Sequence, residues 1–163
     1  MAVYTALLEP GVPTAMFAKF DANMVIANRI ALSGVADAIV KQARINASNG
    51  SHAYGTPTPA SAGTGPAKIS GTLYKSIDRS SITREPFGWY CRVGMNAGFV
   101  PWYAASWTSP KTSSQYARIL EIEGCRNGAT YPFLYSAAEF VFEIAAYSIY
   151  DRIYGSGRWA RVI

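Results

Sequence analysis

The chain has 163 residues, of which half are apolar, 13% are aromatic and only 15% are charged. This length fits a single domain with a substantial core, and so small a charged fraction suggests that other subunits cover part of the apolar surface. The net charge of +5 is spread along the chain without a basic block. That distribution leaves only a mild overall field.

Targeting and membrane signals are not expected. The N-terminal stretch, MAVYTALLEPG, has neither a basic segment nor a long apolar run, so we expect no signal peptide. The richest apolar stretch, FLYSAAEFVFEIAAY, is interrupted by Glu139 and Glu143, so we expect no membrane segment. Cys91 and Cys125 are too few for a disulfide framework and are expected to be reduced.

The first predicted element is a helix from Thr14 to about Ser48. This segment is alanine-rich and free of proline, and its apolar residues recur at three- and four-residue steps. The recurring positions are Phe17, Phe20, Met24, Ala27, Ala31, Val35, Ala38 and Gln42. The pattern predicts one long amphipathic helix, or two helices that meet at Gly34.

Two loops are predicted next. Residues 49–68 are almost entirely glycine, proline, serine, threonine and alanine, a composition that predicts a mobile loop. A second loop, 96–114, carries Trp102, Tyr103 and Trp107. Aromatic residues on a loop suggest contact with a partner.

The middle of the chain predicts a small antiparallel sheet. Gly71 to Ile77 is expected to be a short helical turn or the beginning of the first strand. Ser80–Arg84 and Trp89–Met95 predict two strands joined by a turn that contains Pro86. Tyr116–Glu123 alternates and predicts a strand or a short helix.

The last predicted element is a helix from Pro132 to about Tyr154, followed by a flexible tail at about 155–163. Its predicted packing stripe is wide and includes Phe133, Ala137, Phe140, Val141, Ile144, Ala145 and Tyr147 or Ser148. The expected fold is therefore α+β, with a long N-terminal helix, a small antiparallel β-sheet and a C-terminal helix packed on the sheet.

Catalytic and metal-binding patterns are weak throughout. His52 is the only histidine and lies in the first loop, so a Ser-His-Asp or Cys-His set would depend on it alone. Two cysteines 34 residues apart and one histidine do not form a structural zinc pattern. We expect no bound metal.

The glycine-rich stretch 63–71 does not match a phosphate-binding loop, because no lysine directly follows its last glycine. The carboxylate pairs Glu121/Glu123 and Glu139/Glu143 are interpreted as solvated residues or partners for arginines of another subunit. We therefore expect neither a cofactor nor an enzyme activity.

The C-terminal tail carries Arg158, Trp159 and Arg161. Arginine alternating with tryptophan suits phosphate pairing and base stacking. A tail that docks onto a neighbouring subunit explains the same pattern, so both interpretations stay open.

Four short motifs follow the N-terminal helix in a fixed order. They are AKISGTLYKSI at 67–77, VG at 93–94, YARILEIEG at 116–124 and YPFLYSAA at 131–138. The order resembles the neck and tail-completion proteins of long-tailed bacteriophages, the tail-component family of lambda-like siphophages. The matching positions are Ser70, Gly71, Leu73, Ser76, Ile77, Val93, Gly94, Tyr116, Ala117, Glu123, Gly124, Pro132, Phe133, Leu134 and Ala137.

The resemblance implies a structural virion protein without catalysis. Such proteins assemble in the host cytoplasm as a closed homo-oligomeric ring that joins the head connector to the tail tube. The implied partners are other neck, connector and tail-tube proteins, with non-specific contact to genomic DNA in the channel and no membrane.

The expected assembly contacts are the aromatic loop and the basic tail. The predicted contact residues are Trp102, Tyr103, Trp107, Arg158, Trp159 and Arg161. Gly71 and Gly124 are expected to make tight turns, and Phe133 and Leu134 to anchor the core. The alternative hypotheses are a small non-enzymatic DNA-binding module and, third, an enzyme that uses His52.

Overall fold

The computed structural model describes residues 12–50, 65–66, 71–86, 88–96, 112–124 and 128–155, with side chains from residue 18 onward. The predicted mobile loop at 49–68 is described only at 49, 50, 65 and 66. The predicted tail is described only at Gly155.

Helix α1, Val12–Asn46, is a single continuous helix of 35 residues. It passes through Gly34 without a break, so the one-helix alternative is correct. Its buried stripe repeats every fourth residue, and its members are Ala27, Ala31, Val35, Ile39, Ala43 and Ala47. A step of four residues overshoots one turn by about 40°, so the stripe winds around the helix. This winding leaves Ala38 and Gln42 half-buried beside the stripe that was expected to include them.

A short helix leads into a bent antiparallel hairpin. Helix α2 is Thr72–Ser76, and the strands are β1 Ile77–Arg79, β2 Thr83–Glu85, β3 Gly88–Tyr90 and β4 Val93–Met95. Strand β1 pairs with β4, and β2 pairs with β3. The expected antiparallel pairing is present, but each arm is divided in two. The Ser80 N–H donates to the Arg92 carbonyl at 2.8 Å, and the strand pairing is then interrupted at residues 81, 82 and 91.

The segment that was predicted as a strand or a short helix is helical. Helix α3, Ser113–Arg118, continues into a π-helical turn, Ile119–Glu123. Thr112 and Gln115 form a reciprocal capping box at its first turn, with their side chains bonded to each other's backbone N–H groups. The wide turn ends at Gly124, whose N–H donates to the Ile119 carbonyl at 2.9 Å.

The C-terminal helix has three consecutive parts: α4 Tyr135–Phe140, a π-helical turn Val141–Ala145, and α5 Ala146–Tyr154. It begins three residues after the predicted Pro132 and ends at the predicted Tyr154. Its most buried positions are Ala137, Val141 and Ala146, which are spaced by four and then by five residues. The five-residue step results from the π turn, which adds a residue to one turn of helix.

The C-terminal helix runs antiparallel to α1. The Asn46 side chain donates to the Phe133 carbonyl at 3.2 Å, and the Tyr154 hydroxyl donates to Asn28 at 2.5 Å. Between these ends, Val35 and Ile39 cluster with Val141 and Ala146.

The strands complete the core. Val93 of β4 packs against the cluster shared by α1 and the C-terminal helix, and Ile77 of β1 joins a second cluster with Phe133 and Leu120. Phe133 is fully buried, as its predicted role as a core anchor requires. The predicted α+β class is confirmed. The C-terminal helix, which was expected to pack on the sheet, packs mainly on α1 and meets the described strands at Val93.

One described helix has the length and apolar composition of a membrane span: α1 over Ala18–Asn46, with 33% of its most apolar 18-residue window buried. The stretch FLYSAAEFVFEIAAY, which was expected to be the richest in apolar residues, belongs to the C-terminal helix and not to α1. The buried stripe of α1 contacts other elements of the chain, as the stripe of a core helix does.

Candidate functional site

The residues predicted to make assembly contacts lie outside the described part of the chain. They are Trp102, Tyr103, Trp107, Arg158, Trp159 and Arg161. His52 and Cys125 also lie outside it. The candidate site is therefore built from exposed surfaces of the described elements.

The most unusual described surface lies on the C-terminal helix, where several large apolar side chains face solvent. Phe140, Ile144 and Tyr147 follow one another at steps of four and three residues, so they lie along one side of the helix, and they are 45%, 62% and 81% exposed. We call these three residues the aromatic face. Phe142, which is 63% exposed, lies two residues after Phe140 and therefore points to another side. Phe140 and Ile144, together with Tyr147 or Ser148, were predicted to belong to the packed stripe, and that part of the prediction is wrong because all four are exposed.

The π turn explains the exposure of Ile144. In a regular α-helix, positions 137, 141, 144, 145 and 148 share one side, so Ile144 would follow Val141 into the core. The extra residue in Val141–Ala145 rotates the following helix, and Ala146 takes the inward position instead. Periodicity counted along the sequence does not detect this rotation, because it assumes a constant number of residues per turn.

The charges next to the aromatic face are acidic. Glu139 and Glu143 are both exposed, and they are the only charged residues between Tyr135 and Tyr150. A hydrogen bond with the Glu139 carboxylate raises the pKa of Tyr135. This part of the helix therefore combines apolar side chains with net negative charge.

A groove lies on a different side of α1, against α2. It has a volume of about 360 Å³ and is lined by Asp37, Val40, Lys41, Arg44, Ile45 and Tyr74. We call these six residues the basic groove. Lys41 and Arg44 lie about 120° and 180° around α1 from Val35, which packs against the C-terminal helix, so the groove and that helix lie on different sides of α1.

Arg44 is fixed on the wall of the groove. Its Nη2 donates to the Ile77 carbonyl at 2.8 Å, and its guanidinium lies 5.7 Å from the centroid of the Tyr74 ring. Its Nε is buried and has no acceptor among the described residues. A buried donor of this kind costs about 1–3 kcal/mol when it remains unsatisfied.

The acidic residue of the groove is already paired. Asp37 binds Arg79 of β1 at 2.5 Å, and this hydrogen bond is the main reason that the pKa of Arg79 is raised. With Asp37 neutralised, Lys41 and Arg44 leave the groove with net positive charge. Ile45 is 42% exposed at its edge, and Ile30 is 54% exposed further along α1.

A third surface combines arginines with aromatic rings on the hairpin. The guanidinium groups of Arg29 and Arg84 lie 5.5 and 5.8 Å from the Trp89 ring centroid, and that of Arg92 lies 5.4 Å from the Tyr90 ring. All three arginines are exposed. Cation–π contacts orient such side chains without neutralising their charge.

Residues of the four motifs have structural roles where they are described. Gly71 and Gly124 have φ values of 75° and 82°, which favour glycine, as expected of tight turns. Glu121 was interpreted as solvated or as a partner for an arginine, but it accepts hydrogen bonds from the backbone N–H groups of Phe133 and Leu134. Glu123 pairs with Arg118 at 2.8 Å.

The described residues contain no group of three or more histidine, cysteine or acidic residues placed to hold a metal ion. In comparisons with protein-family models, curated proteins and solved structures, no match to this chain was found. The proposed function is therefore based on the aromatic face, the basic groove, the arginines around the hairpin rings and the order of the four motifs.

Proposed function

We propose that this protein is a structural component of the bacteriophage head–tail junction. It assembles as a homo-oligomeric ring that joins the head connector to the tail tube and lets DNA pass. The proposal combines the order of the four motifs with the exposed surfaces of the described elements.

The aromatic face is the observation that carries the assembly part of this proposal. Large apolar side chains that remain exposed in a single chain mark a surface that another protein covers. A chain with only 15% charged residues has few other means of keeping such a surface soluble. Repeating one contact around an axis covers this face in every copy.

The aromatic loop and the tail remain predicted contacts with neck partners. In this proposal Trp102, Tyr103 and Trp107 meet a neighbouring ring, and Arg158, Trp159 and Arg161 meet a neighbouring subunit or the DNA in the channel. The protein is located in the virion neck after assembly in the host cytoplasm, without a cofactor or a catalytic role.

The experiment is to purify the particles that the encoding genome produces, with and without an early stop codon in this gene. Mass spectrometry should detect the chain in tailed particles. The stop codon should yield DNA-filled heads and unattached tails, and expression of the intact gene in trans should restore joined particles. Infectious tailed particles that lack the chain would contradict the proposal.

The alternative function is a small non-enzymatic DNA-binding module, and the arginine–aromatic surface on the hairpin favours it. Arg29, Arg84 and Arg92 would contact phosphates, giving affinity that falls steeply with salt. A stable monomer that shifts DNA in a gel at physiological salt, and loses the shift when these arginines become glutamine, would favour this alternative over the ring.

A further inference from the structure

We propose that the aromatic face of one copy of this chain docks into the basic groove of a second copy. The inference rests on the proposed ring and names the two surfaces of its repeated contact. The occupant of the groove is the acidic, apolar outer side of the C-terminal helix of the next subunit.

Charge complementarity favours this pairing. Glu139 and Glu143 accompany the aromatic face, with no basic residue between Tyr135 and Tyr150. The groove offers exposed Lys41 together with Arg44, while Asp37 is occupied by Arg79 at 2.5 Å. Opposite charges across an interface direct the encounter and fix its register.

The aromatic face supplies about half of the area of a specific contact. A large aromatic side chain buries about 150–250 Å² when covered, so the three partly exposed residues of the aromatic face supply on the order of 400 Å². A standard interface needs about 800 Å² from each partner, and the neighbouring Glu139 and Glu143 add to the area on this side of the helix. On the opposite surface, exposed Ile45 and Ile30 supply apolar area beside the groove.

The placement of the two surfaces favours a head-to-tail contact. The groove and the C-terminal helix lie on different sides of α1, so a chain that uses both surfaces contacts two neighbours. Two aromatic faces packed against each other about a two-fold axis would instead bring Glu143 of each copy close to the other, which is electrostatically unfavourable.

Charge reversal tests the pairing in the purified full chain, by sedimentation velocity at low salt. The variants are Lys41→Glu, Glu143→Lys and the double variant that carries both. Each single variant should self-associate roughly tenfold more weakly or worse, because it places like charges across the contact. The double variant, and an equimolar mixture of the two single variants, should recover most of the association. Circular dichroism checks that each variant keeps its fold.

Glu85→Lys is the matched control, because Glu85 is exposed on β2 and belongs to neither surface. It should associate like the wild type. The pairing is overturned if the wild-type chain stays monomeric at about 200 µM, or if the double variant and the mixture associate no better than the single variants. Stronger association of Glu143→Lys alone would also overturn it, in favour of the two-fold arrangement.

These results are independent of the virion experiment. If the chain self-associates in a charge-dependent way but is not found in tailed particles, the interface stands and the neck function does not. If chains that carry Lys41→Glu or Glu143→Lys are incorporated into particles as well as the wild-type chain, the neck function stands and this interface does not.

Discussion

Glu121 shows how one carboxylate joins two distant parts of the chain. It lies in the π turn after α3, yet its Oε1 accepts hydrogen bonds from the backbone N–H groups of Phe133 and Leu134 at the start of the C-terminal helix. These N–H groups have no acceptor within the helix, and the helix dipole favours a negative charge there. The side chain therefore fixes where the C-terminal helix begins.

We predict that Glu121→Ala lowers the free energy of unfolding by about 2–3 kcal/mol and Glu121→Gln by about 1 kcal/mol. Glutamine keeps an acceptor oxygen but loses the charge, so it should be the milder change. Urea denaturation followed by circular dichroism measures both. Glu123→Gln is the control, since Glu123 makes only an exposed ion pair and should cost less than about 0.5 kcal/mol. Equal effects at 121 and 123 would contradict this role for Glu121.

A second prediction concerns Tyr154, whose hydroxyl donates to Asn28. Burial, followed by the nearby Tyr150, raises its pKa above the ordinary tyrosine value of 10.0. A raised pKa in the folded state means that folding favours the neutral phenol. The stability that the neutral Tyr154 side chain contributes is therefore fully present below pH 10.0 and is lost as the pH rises through the pKa of Tyr154 in the folded state.

The variant that tests this is Tyr154→Phe. At neutral pH it should lose about 1 kcal/mol with the hydrogen bond. Above pH 10.0 the wild type should approach the variant in stability, because the ionised phenol no longer favours the fold. Urea titrations at both pH values measure the difference. Tyr147→Phe, which removes a hydroxyl from an 81% exposed side chain, should change neither value.

At the scale of elements, the antiparallel contact between α1 and the C-terminal helix depends on a small residue. A Cβ atom added at Gly34 would lie 3.0 Å from Ile149 Cγ2, so glycine allows the two helices to approach closely. This explains a glycine in the middle of a long helix, where it costs about 1 kcal/mol relative to alanine.

We predict that Gly34→Leu destabilises the protein by about 1–3 kcal/mol, although leucine is the better helix former. The added side chain must push Ile149 and α5 outward. Thermal unfolding measures the loss, and Ala22→Leu, at an exposed position of α1, should stay within about 0.5 kcal/mol of the wild type. A stabilised Gly34→Leu variant would show that the helices are not in close contact here.

The π turn of the C-terminal helix belongs to the same scale. There the sequence looks like a regular amphipathic helix, and the extra residue in one turn decides which of the following side chains turn inward. For the C-terminal helix, this places Ala146 in the core and leaves Ile144 62% exposed. A candidate binding surface thus lies where a regular period of 3.6 residues per turn predicts buried core residues.

At the scale of the whole molecule, two large apolar side chains of the same region have opposite environments. Phe133 is fully buried, and Ile144 is 62% exposed. If other copies cover the aromatic face, Ile144 stabilises the assembly while Phe133 stabilises the single chain. Mass action then makes the apparent Tm of the wild type rise with protein concentration.

We therefore predict that Ile144→Ser removes this concentration dependence and leaves the stability of the dilute chain within about 0.5 kcal/mol of the wild type. Phe133→Ala should cost about 3–5 kcal/mol at every concentration. Differential scanning fluorimetry across a dilution series measures both. A Tm that is independent of concentration in the wild type would contradict assembly through this face.

The sequence by itself determined the elements that depend on local patterns. The alanine-rich repeat determined α1, the β-forming runs around Pro86 determined the hairpin, and the glycine after Tyr154 determined where the last helix ends. Thr112 and Gln115 also formed a local capping signal that would have predicted the beginning of α3. These features were predictable because propensity and periodicity act over a few neighbouring residues.

Only the tertiary structure decided which apolar side chains remain exposed and which polar groups meet. The pairing of Glu121 with the N–H groups of Phe133 and Leu134 crosses a loop, and the basic groove joins residues of α1 to Tyr74 of α2. The aromatic face depends on a π turn and on the single side of the C-terminal helix that contacts α1. Such features follow from the packing of whole elements against one another, which the local sequence pattern does not encode.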